Sequence, residues 1–456
     1  MPGPGGGMET SGVDISGTEI SGTEITGRTA GEIAASVRAL ADAGELVPGT
    51  PLPPVRRLAE RLGVNRNTVM AAYQRLVQAG VAETRRRAGT VIADPAAAAV
   101  EQEGFAAGSP LRDVGSGNPD PALLPDPFGV RPARGEAVLY GERTTDPGLA
   151  RWAHRWLESD QPREMRLTVT AGAVDAVERL LAQALTHGDS VALEDPCFLA
   201  SINTVRLAGY RPVAVPVDAD GMTADGLHAA LQRGVRAVVC TPRAHNPTGV
   251  SLSAARAKEL RAVLSGHPHV LVIEDDHFSM LSNARYRSII DPGHARWALV
   301  RSVSKFLGPD LRLALVASDP HTADRLATRI GPGRTWTSHL LQRLTASLLT
   351  DPSALALVDR ARAHYADRNT RFAELLDARG IDIRPGDGLS LWIPVGANNA
   401  GTVSERLLRR GWLARTSDRF ALDRPAAAGH LRLTVHHLGD EHAALLADDL
   451  VEAVAG

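Results

Sequence analysis

The stretch RSVSKFLGPDLRLALV, residues 301–316, holds one of only two lysines in a chain of 456 residues. The other is Lys258, and the remaining long basic side chains are arginines. Where positive charge alone is needed this sequence uses arginine. Lys305, among Ser302, Ser304 and Gly308, therefore points to chemistry outside the reach of a guanidinium, because an amine sheds its proton and attacks a carbonyl carbon. A solvated lysine at a strand end is the plainer reading of the segment alone, and the rest of the chain has to separate the two.

Around this stretch, apolar strand-like runs RLTVTAG, SVALEDP, RAVVCTP, VLVIEDD and WALVRSVS alternate with amphipathic stretches such as AVDAVERLLAQALTHG, from about residue 113 onward. That alternation predicts an α/β domain with a largely parallel sheet, in which sites lie at the carboxyl ends of strands. After residue 340 the pattern changes to long helices followed by SLWIPV and HLRLTV, a smaller α+β lobe. The expected division is 113–340 mainly for the large lobe and 341–456 for the small one.

Composition sets the outer bounds. Hydrophobic residues make up 44% and charged residues 22%, as in a globular protein of two or three domains with a substantial core. The formal net charge of −2 gives no general bias toward polyanions, but residues 51–90 hold eight arginines against two glutamates, so a nucleic-acid contact would be local. Two cysteines, Cys197 and Cys240, exclude a disulfide framework and a cysteine-based zinc site. No metal ligands are assigned. No run has the length of a membrane span, and the start lacks the basic and apolar regions of a signal peptide, so a cytoplasmic location is expected.

The first 27 residues are Gly/Ser/Thr-rich and repeat a pentapeptide in VDISG, TEISG and TEITG. They read as a disordered tail, with Met8 as an alternative start. Ile33, Val37 and Leu40 then share one helical face ended by Gly44; a second helix carries Leu58, Ala59 and Leu62 up to Gly63; a third runs from Asn65 through Val69, Tyr73, Leu76 and Val77 to Gly80. AETRRRAGTVIA follows as a two-stranded wing with Gly89 at its bend. The DNA-binding unit is thus placed at 28–95 and an Ala/Gly-rich linker at 96–112. Asn65, Arg66, Asn67 and Thr68 would enter a major groove, with Arg66 reaching a guanine edge, while Arg56, Arg85, Arg86 and Arg87 hold phosphates. A small helical bundle with a solvated arginine face would give a similar pattern. The stretch from Gly44 to Ile92, however, closely resembles the winged helix of GntR-type regulators throughout, with Val55 and Ala88 as mild departures.

In the larger unit, short motifs gather at the ends of the apolar runs: SVSKFLGPDLRLA, IEDDH, RAHNPTG, EDPCF and TAGAVDAVERL. Read singly, Asp275 is also a helix cap, Asn246-Pro247 a turn and Phe198 core. Together and in this order they resemble the fold type I pyridoxal 5'-phosphate enzymes of the class I aminotransferase family, across 113–456. The resemblance implies an internal aldimine on Lys305, Asp275 against the pyridinium nitrogen, Asn246 donating to the phenolic oxygen and Phe198 stacked on the ring. Ser302, Arg312 and the N–H groups of Ala171, Gly172 and Ala173 would bind phosphate. Arg432 matches a clamp for a substrate α-carboxylate, and Tyr140 a residue lent across a dimer interface to the partner's phosphate. Three departures stand out: His277 and Phe198 where tyrosines are common, and alanines at 171 and 173 where serines are.

A winged helix joined to such a domain is the arrangement of the MocR group of regulators, and EDDHF, RSVSKFLGPDLRLA and WTSHLLQ look most like its PtsJ-type branch. The resemblance implies a homodimeric transcription regulator that binds operator DNA and senses pyridoxal 5'-phosphate, or an amine or amino acid that reacts with it. Vitamin B6 or amino-acid metabolism would be its target. The competing readings are an active aminotransferase with an accessory DNA-binding segment and a regulator that has lost the cofactor.

Overall fold

The computed structural model describes residues 25–85, 89–93, 111–161, 163–330, 336–396, 399–422 and 429–456. The chain divides into two compact units near residue 98. No helix among the described residues is long and apolar enough to cross a membrane.

In the first unit, α1 (Ala30–Asp42) opens on a capping box in which the Thr29 hydroxyl accepts from the Glu32 amide and the Glu32 carboxylate reaches back to the Thr29 amide. Helix α2 (Val55–Leu62) ends at Gly63 with φ of 64°, a left-handed cap that suits glycine, and α3 (Arg66–Gln78) follows directly. Strands β1 (Ala82–Arg85) and β2 (Gly89–Ile92) pair antiparallel as the wing, with Arg85 opposite Gly89. Ile33, Val37, Leu58, Val69, Tyr73 and Leu76 share one core. Three expected core positions differ. Leu40 and Leu62 are only half-buried, and Val77 is exposed because one residue past Leu76 the helix has turned about 100° from the buried stripe.

The second unit begins with β3 (Arg112–Asp113) and α4 (Pro147–Glu158). It continues through β4 (Arg166–Thr170), α5 (Ala173–Ala184), β5 (Ser190–Asp195), α6 (Leu199–Leu207), β6 (Arg211–Asp218), β7 (Gly221–Met222), α7 (Ala224–Gln232) and β8 (Ala237–Cys240). Then come α8 (Ala254–Ser265), β9 (Leu271–Asp275), β10 (Trp297–Ser302), the short α9 (Ser304–Leu307), β11 (Ala314–Ser318) and α10 (Pro320–Ile330). All of these strands except β3 form one sheet in the order β4-β11-β10-β9-β8-β5-β6-β7. Neighbours from β10 through β6 are parallel, β11 runs antiparallel between β4 and β10, and β7 is antiparallel to β6.

Burial follows the two-residue period of a strand covered on both faces. On β9 and β10, Val272, Trp297 and Leu299 join one core while Leu271, Ile273, Ala298 and Val300 join the other. The carboxyl ends of β5, β8, β9 and β10 consequently open on one edge, as the alternation of runs predicts.

The chain closes with α11 (His339–Leu348), the 26-residue α12 (Pro352–Asp377), β12 (Leu391–Pro394), α13 (Ala400–Arg409), β13 (Trp412–Leu413), β14 (Arg415–Thr416), β15 (His430–Leu433) and α14 (Asp440–Ala455). Strands β12, β15 and β14 make an antiparallel sheet, and β3 pairs parallel with β13. Val114 accordingly lies in the core of this lobe with Trp412 and Leu446, and the loop after it runs back toward the large sheet.

Candidate functional site

At the amino end of α3, Asn65 is the N-cap, its Oδ1 accepting the Asn67 amide at 2.8 Å. That carbonyl oxygen is engaged in holding the helix start. Arg66 and Asn67 are exposed and Thr68 is half-buried. Arg56 lies one turn before Glu60 and pairs with it at 3.1 Å, both side chains largely exposed. Such a pair contributes little stability and opens readily to a phosphate. The Arg85 side chain, Arg86 and Arg87 lie outside the described residues.

In the larger unit the strand edge gathers most of the remaining expected residues. Lys305, in the turn that follows β10, donates from Nζ to the carbonyl of Gly117 at 3.1 Å. Ser302, the last residue of β10, is buried and accepts the Ser304 amide at 3.2 Å. On the neighbouring β9, Asp275 is buried; its Oδ1 has no hydrogen-bond partner and its Oδ2 lies 3.7 Å from His277 Nδ1. Burial pushes the Asp275 carboxyl above its ordinary value, His277 pulls it back, and adjacent Asp276 adds to the rise. An orphaned acceptor at the end of a buried strand suits a protonated ring nitrogen, so the residues present fit pyridoxal 5'-phosphate.

Arg432, on β15, is fully buried. It donates to Asn246 Oδ1 at 3.1 Å and to the Gly115 carbonyl at 2.6 Å, with its guanidinium 4.8 Å from the Phe420 ring centre. Because Asn246 turns its oxygen to this cation, its amide nitrogen is the end left for another acceptor. Gly117 has φ of +66°, and a Cβ there would sit 3.0 Å from Arg432 Nη2. Glycine is needed here both for the left-handed backbone and for the close approach. The sequence reading passed over Gly115 and Gly117, although GSGNPD between two structured runs is a visible signal of a built loop.

Gly172, with φ of +102°, is the N-cap of α5, and a Cβ on it would lie 3.9 Å from Arg312 Cζ. Arg312 is itself exposed and left-handed at φ of 44°. The structure thus brings together the Arg312 guanidinium and the α5 amino end. The Ala171 amide, by contrast, is taken at 3.0 Å by Asp175, which also pairs with Arg179 at 2.7 Å. Phe198 caps α6 and is half-buried. Tyr140 is 81% exposed, edge-on to Trp336 at 5.6 Å. Its loop is fastened by the WTSHLLQ segment: His339 Nε2 meets the Arg143 carbonyl at 3.0 Å, and the Gln342 amide holds the Thr144 carbonyl and the Asp146 amide.

Beneath Asn246 lies a pair that the sequence reading missed. Glu194 and His245 are both buried, with Glu194 Oε2 3.5 Å from His245 Nε2. Glu194 accepts the Thr241 amide at 2.9 Å, and His245 Nδ1 meets the Thr248 hydroxyl at 2.7 Å. Burial pushes Glu194 up to about 8 and His245 down to about 3, so across the neutral range the carboxyl keeps its proton and the imidazole is neutral.

The comparisons with known proteins match both units. Residues 29–92 match the bacterial regulatory proteins of the gntR family, and residues 138–448 match aminotransferase class I and II. Over 430 residues, 94% of this chain and 99% of the relative, the sequence is 46% identical to the vitamin B6 salvage pathway transcriptional repressor PtsJ of Salmonella typhimurium. It is 27% identical over 377 residues, 78% of this chain and 81% of the relative, to the pyridoxine biosynthesis transcriptional regulator PdxR of Corynebacterium glutamicum. Among solved structures, the α-aminoadipate aminotransferase LysN of Thermus thermophilus covers 76% of this chain and 92% of its own, with a TM-score of 0.64 at 23% identity. That likeness supports the fold alone.

Proposed function

The chain belongs to the MocR-type regulators, DNA-binding transcription regulators in which a gntR-family winged helix is joined to a class I and II aminotransferase domain, and from that premise we propose that its large domain is a pyridoxal 5'-phosphate-dependent sensor. The observation that carries this reading is the buried, partnerless Oδ1 of Asp275, on the strand next to the one that leads into Lys305.

Bound there, pyridoxal 5'-phosphate supplies an aldehyde carbon that reacts reversibly with primary amines and a ring that takes up negative charge. Lys305 would provide the amine for attachment, and Asp275 would accept from the ring nitrogen and keep it protonated. The Asn246 amide nitrogen would donate to the phenolic oxygen, and His277 and Phe198 would line the ring. Ser302, Arg312 and the amino end of α5 would hold the phosphate, and Arg432 would receive the carboxylate of an amino-acid effector. The phosphate site has alanines at 171 and 173, and Asp175 engages the Ala171 amide, a donor set better suited to reversible occupancy than to permanent retention. Exposed Phe128, Leu139, Tyr140 and Leu340 favour a homodimer. By analogy with the 46% identical repressor of vitamin B6 salvage, the regulated genes would serve vitamin B6 metabolism.

The second reading, an aminotransferase with an accessory DNA-binding domain, is favoured by the intact pairing of Arg432 with Asn246. One experiment separates the two. Purified full-length chain is reduced with borohydride and peptide-mapped, and operator DNA is titrated with cofactor-free, cofactor-loaded and amino-acid-treated protein. The sensor requires label on Lys305 and unequal operator affinities, on the order of 5- to 150-fold apart for ordinary coupling. Label on Lys258, or none, refutes the cofactor assignment. Equal affinities with sustained turnover of amino and 2-oxo acids favour the enzyme.

A further inference from the structure

His436 is 4% exposed, and its Nδ1 has no hydrogen-bond partner. Its Nε2 lies 2.9 Å from the carbonyl oxygen of Asn118. A carbonyl only accepts, so Nε2 carries the proton and Nδ1 presents a lone pair. His364, on α12, is fixed in the same way, with Nε2 2.9 Å from the carbonyl oxygen of His436 and Nδ1 left as the lone-pair nitrogen. Asp120 uses Oδ1 to accept the Ala122 amide at 2.9 Å, capping the short turn that follows, which leaves Oδ2. One donor atom from each of Asp120, His364 and His436 falls within 4.8 Å of the others.

We propose that Asp120, His364 and His436 form a binding site for a zinc-type divalent cation. Imidazoles whose far nitrogens are pinned by backbone carbonyls have the outer-shell support that metal-binding histidines require. Two nitrogens and one carboxylate select zinc or its first-row neighbours over Mg²⁺ or Ca²⁺, which take oxygen ligands. Three protein ligands leave a fourth position for water, and Asp120 and His364 are only half-buried, which gives the ion a way in. Zinc ligands at about 2.0–2.1 Å are about 3.3 Å apart, so binding draws the three side chains together.

The three ligands sit on separate segments: the loop after β3, the middle of α12, and the turn after β15. The loop also supplies the Gly117 carbonyl to Lys305 and the Gly115 carbonyl to Arg432. A bound cation therefore fixes the wall of the pocket that holds both residues. None of its three ligands is among the residues assigned to the cofactor, so the test of the metal site does not require the cofactor.

The test is a Co²⁺ titration of untagged, chelator-treated full-length protein, followed by the visible ligand-field bands of tetrahedral Co²⁺. One equivalent is expected, displaced by Zn²⁺ and indifferent to excess Mg²⁺. His364→Ala and Asp120→Asn should each weaken binding at least about tenfold. Asparagine keeps the cap on the turn, so a loss in D120N with unchanged circular dichroism and melting temperature reports the ligand and not the fold. Zn²⁺ should also slow amide hydrogen exchange over residues 117–122 in the parent protein and not in either variant. Absence of the bands overturns the proposal. So do bands unchanged in both variants, which would put the ion elsewhere, for example at His267 and His269, whose rings are 6.3 Å apart.

Discussion

Replacing Glu194 by glutamine should abolish a loss of stability that the parent protein suffers between about pH 6.5 and 8. Folded, the Glu194–His245 pair keeps one proton between about pH 3 and about 8, since burial raises the carboxyl to about 8 and lowers the imidazole to about 3. Unfolded, the same groups titrate at their ordinary values of 4.5 and 6.5. Between those two values both states hold one proton, and the pair contributes no pH dependence. Above 6.5 only the folded state keeps the proton, so stability falls as pH rises. About 1.5 pH units at about 1.4 kcal/mol each gives about 2 kcal/mol, or about 3 °C in melting temperature for a domain of this size. Below 4.5 the unfolded state holds the extra proton, and stability falls again toward pH 3. Glutamine has the shape of the protonated acid: with its oxygen at the Oε2 position it still accepts the Thr241 amide, and its amide nitrogen takes the Oε1 position beside the Cys240 thiol. With His245 neutral in the folded variant, neither state holds a proton above 6.5, and the alkaline decline disappears.

The assay is calorimetry of parent and E194Q at matched cofactor loading, at pH 5.5, 6.5, 7.5 and 8.5. Only the difference between the two proteins is used, so other titrations common to both cancel. A gap that widens in favour of the variant above pH 6.5 supports a Glu194 carboxyl that keeps its proton when buried. A gap constant from 5.5 to 8.5 would show that Glu194 is ionised throughout, and the reasoning would fail.

Three further outcomes are expected. Arg66→Ala should lose about 1–3 kcal/mol on the specific duplex and little on a scrambled one, whereas Arg56→Ala should weaken both equally; equal loss on both for R66A would remove its readout role. Arg432→Lys should blunt the amino-acid response of operator binding while leaving cofactor absorbance in place, because an ammonium does not reproduce the two-pronged geometry; loss of the absorbance instead would make Arg432 part of the cofactor site. Asp276→Asn should destabilise by about 3–5 kcal/mol in denaturant unfolding, since Asp276 neutralises Arg243 at 2.7 Å and the fully buried Arg301 at 2.8 Å. Its carboxyl lies below the ordinary value because these guanidiniums outweigh the upward push of burial. A loss under about 1 kcal/mol would mean that Asp160, 2.5 Å from Arg301, carries the compensation alone.

The residues that a strand or helix presents at its end were legible in the sequence because their placement is local. A buried β9 ends at Asp275 wherever the sheet lies, and β10 ends at Ser302 with Lys305 three residues on. The period of α3 similarly fixes Val69, Tyr73 and Leu76 inward and Arg66 at its start. Even there the local rule overreached at Val77, which the helical pattern counted with the apolar face and the helix turns outward. The motif EDDH also gave only one of its three acids. Asp275 was assigned, but Glu274 is buried against Tyr286 and Ser288 and Asp276 against two arginines, partners that the strand's own pattern does not name.

What the sequence by itself determined is the order and type of the elements, and hence which side chains stand at which ends, because hydrophobic period and turn chemistry act over a few residues. Tertiary structure alone decided what those ends face. Arg432 meets Gly115 and Asn246 across 317 and 186 residues of chain, Glu194 meets His245 across a strand crossing, and Asp120 meets His436 only because β3 pairs beside β13 in the distant lobe. Such encounters depend on how parallel strands are ordered and where the chain returns. No local period encodes that order: it is set by the summed burial of the sheet's two faces and the lobe's own core, so groups far apart in sequence reach hydrogen-bonding distance only in the folded chain.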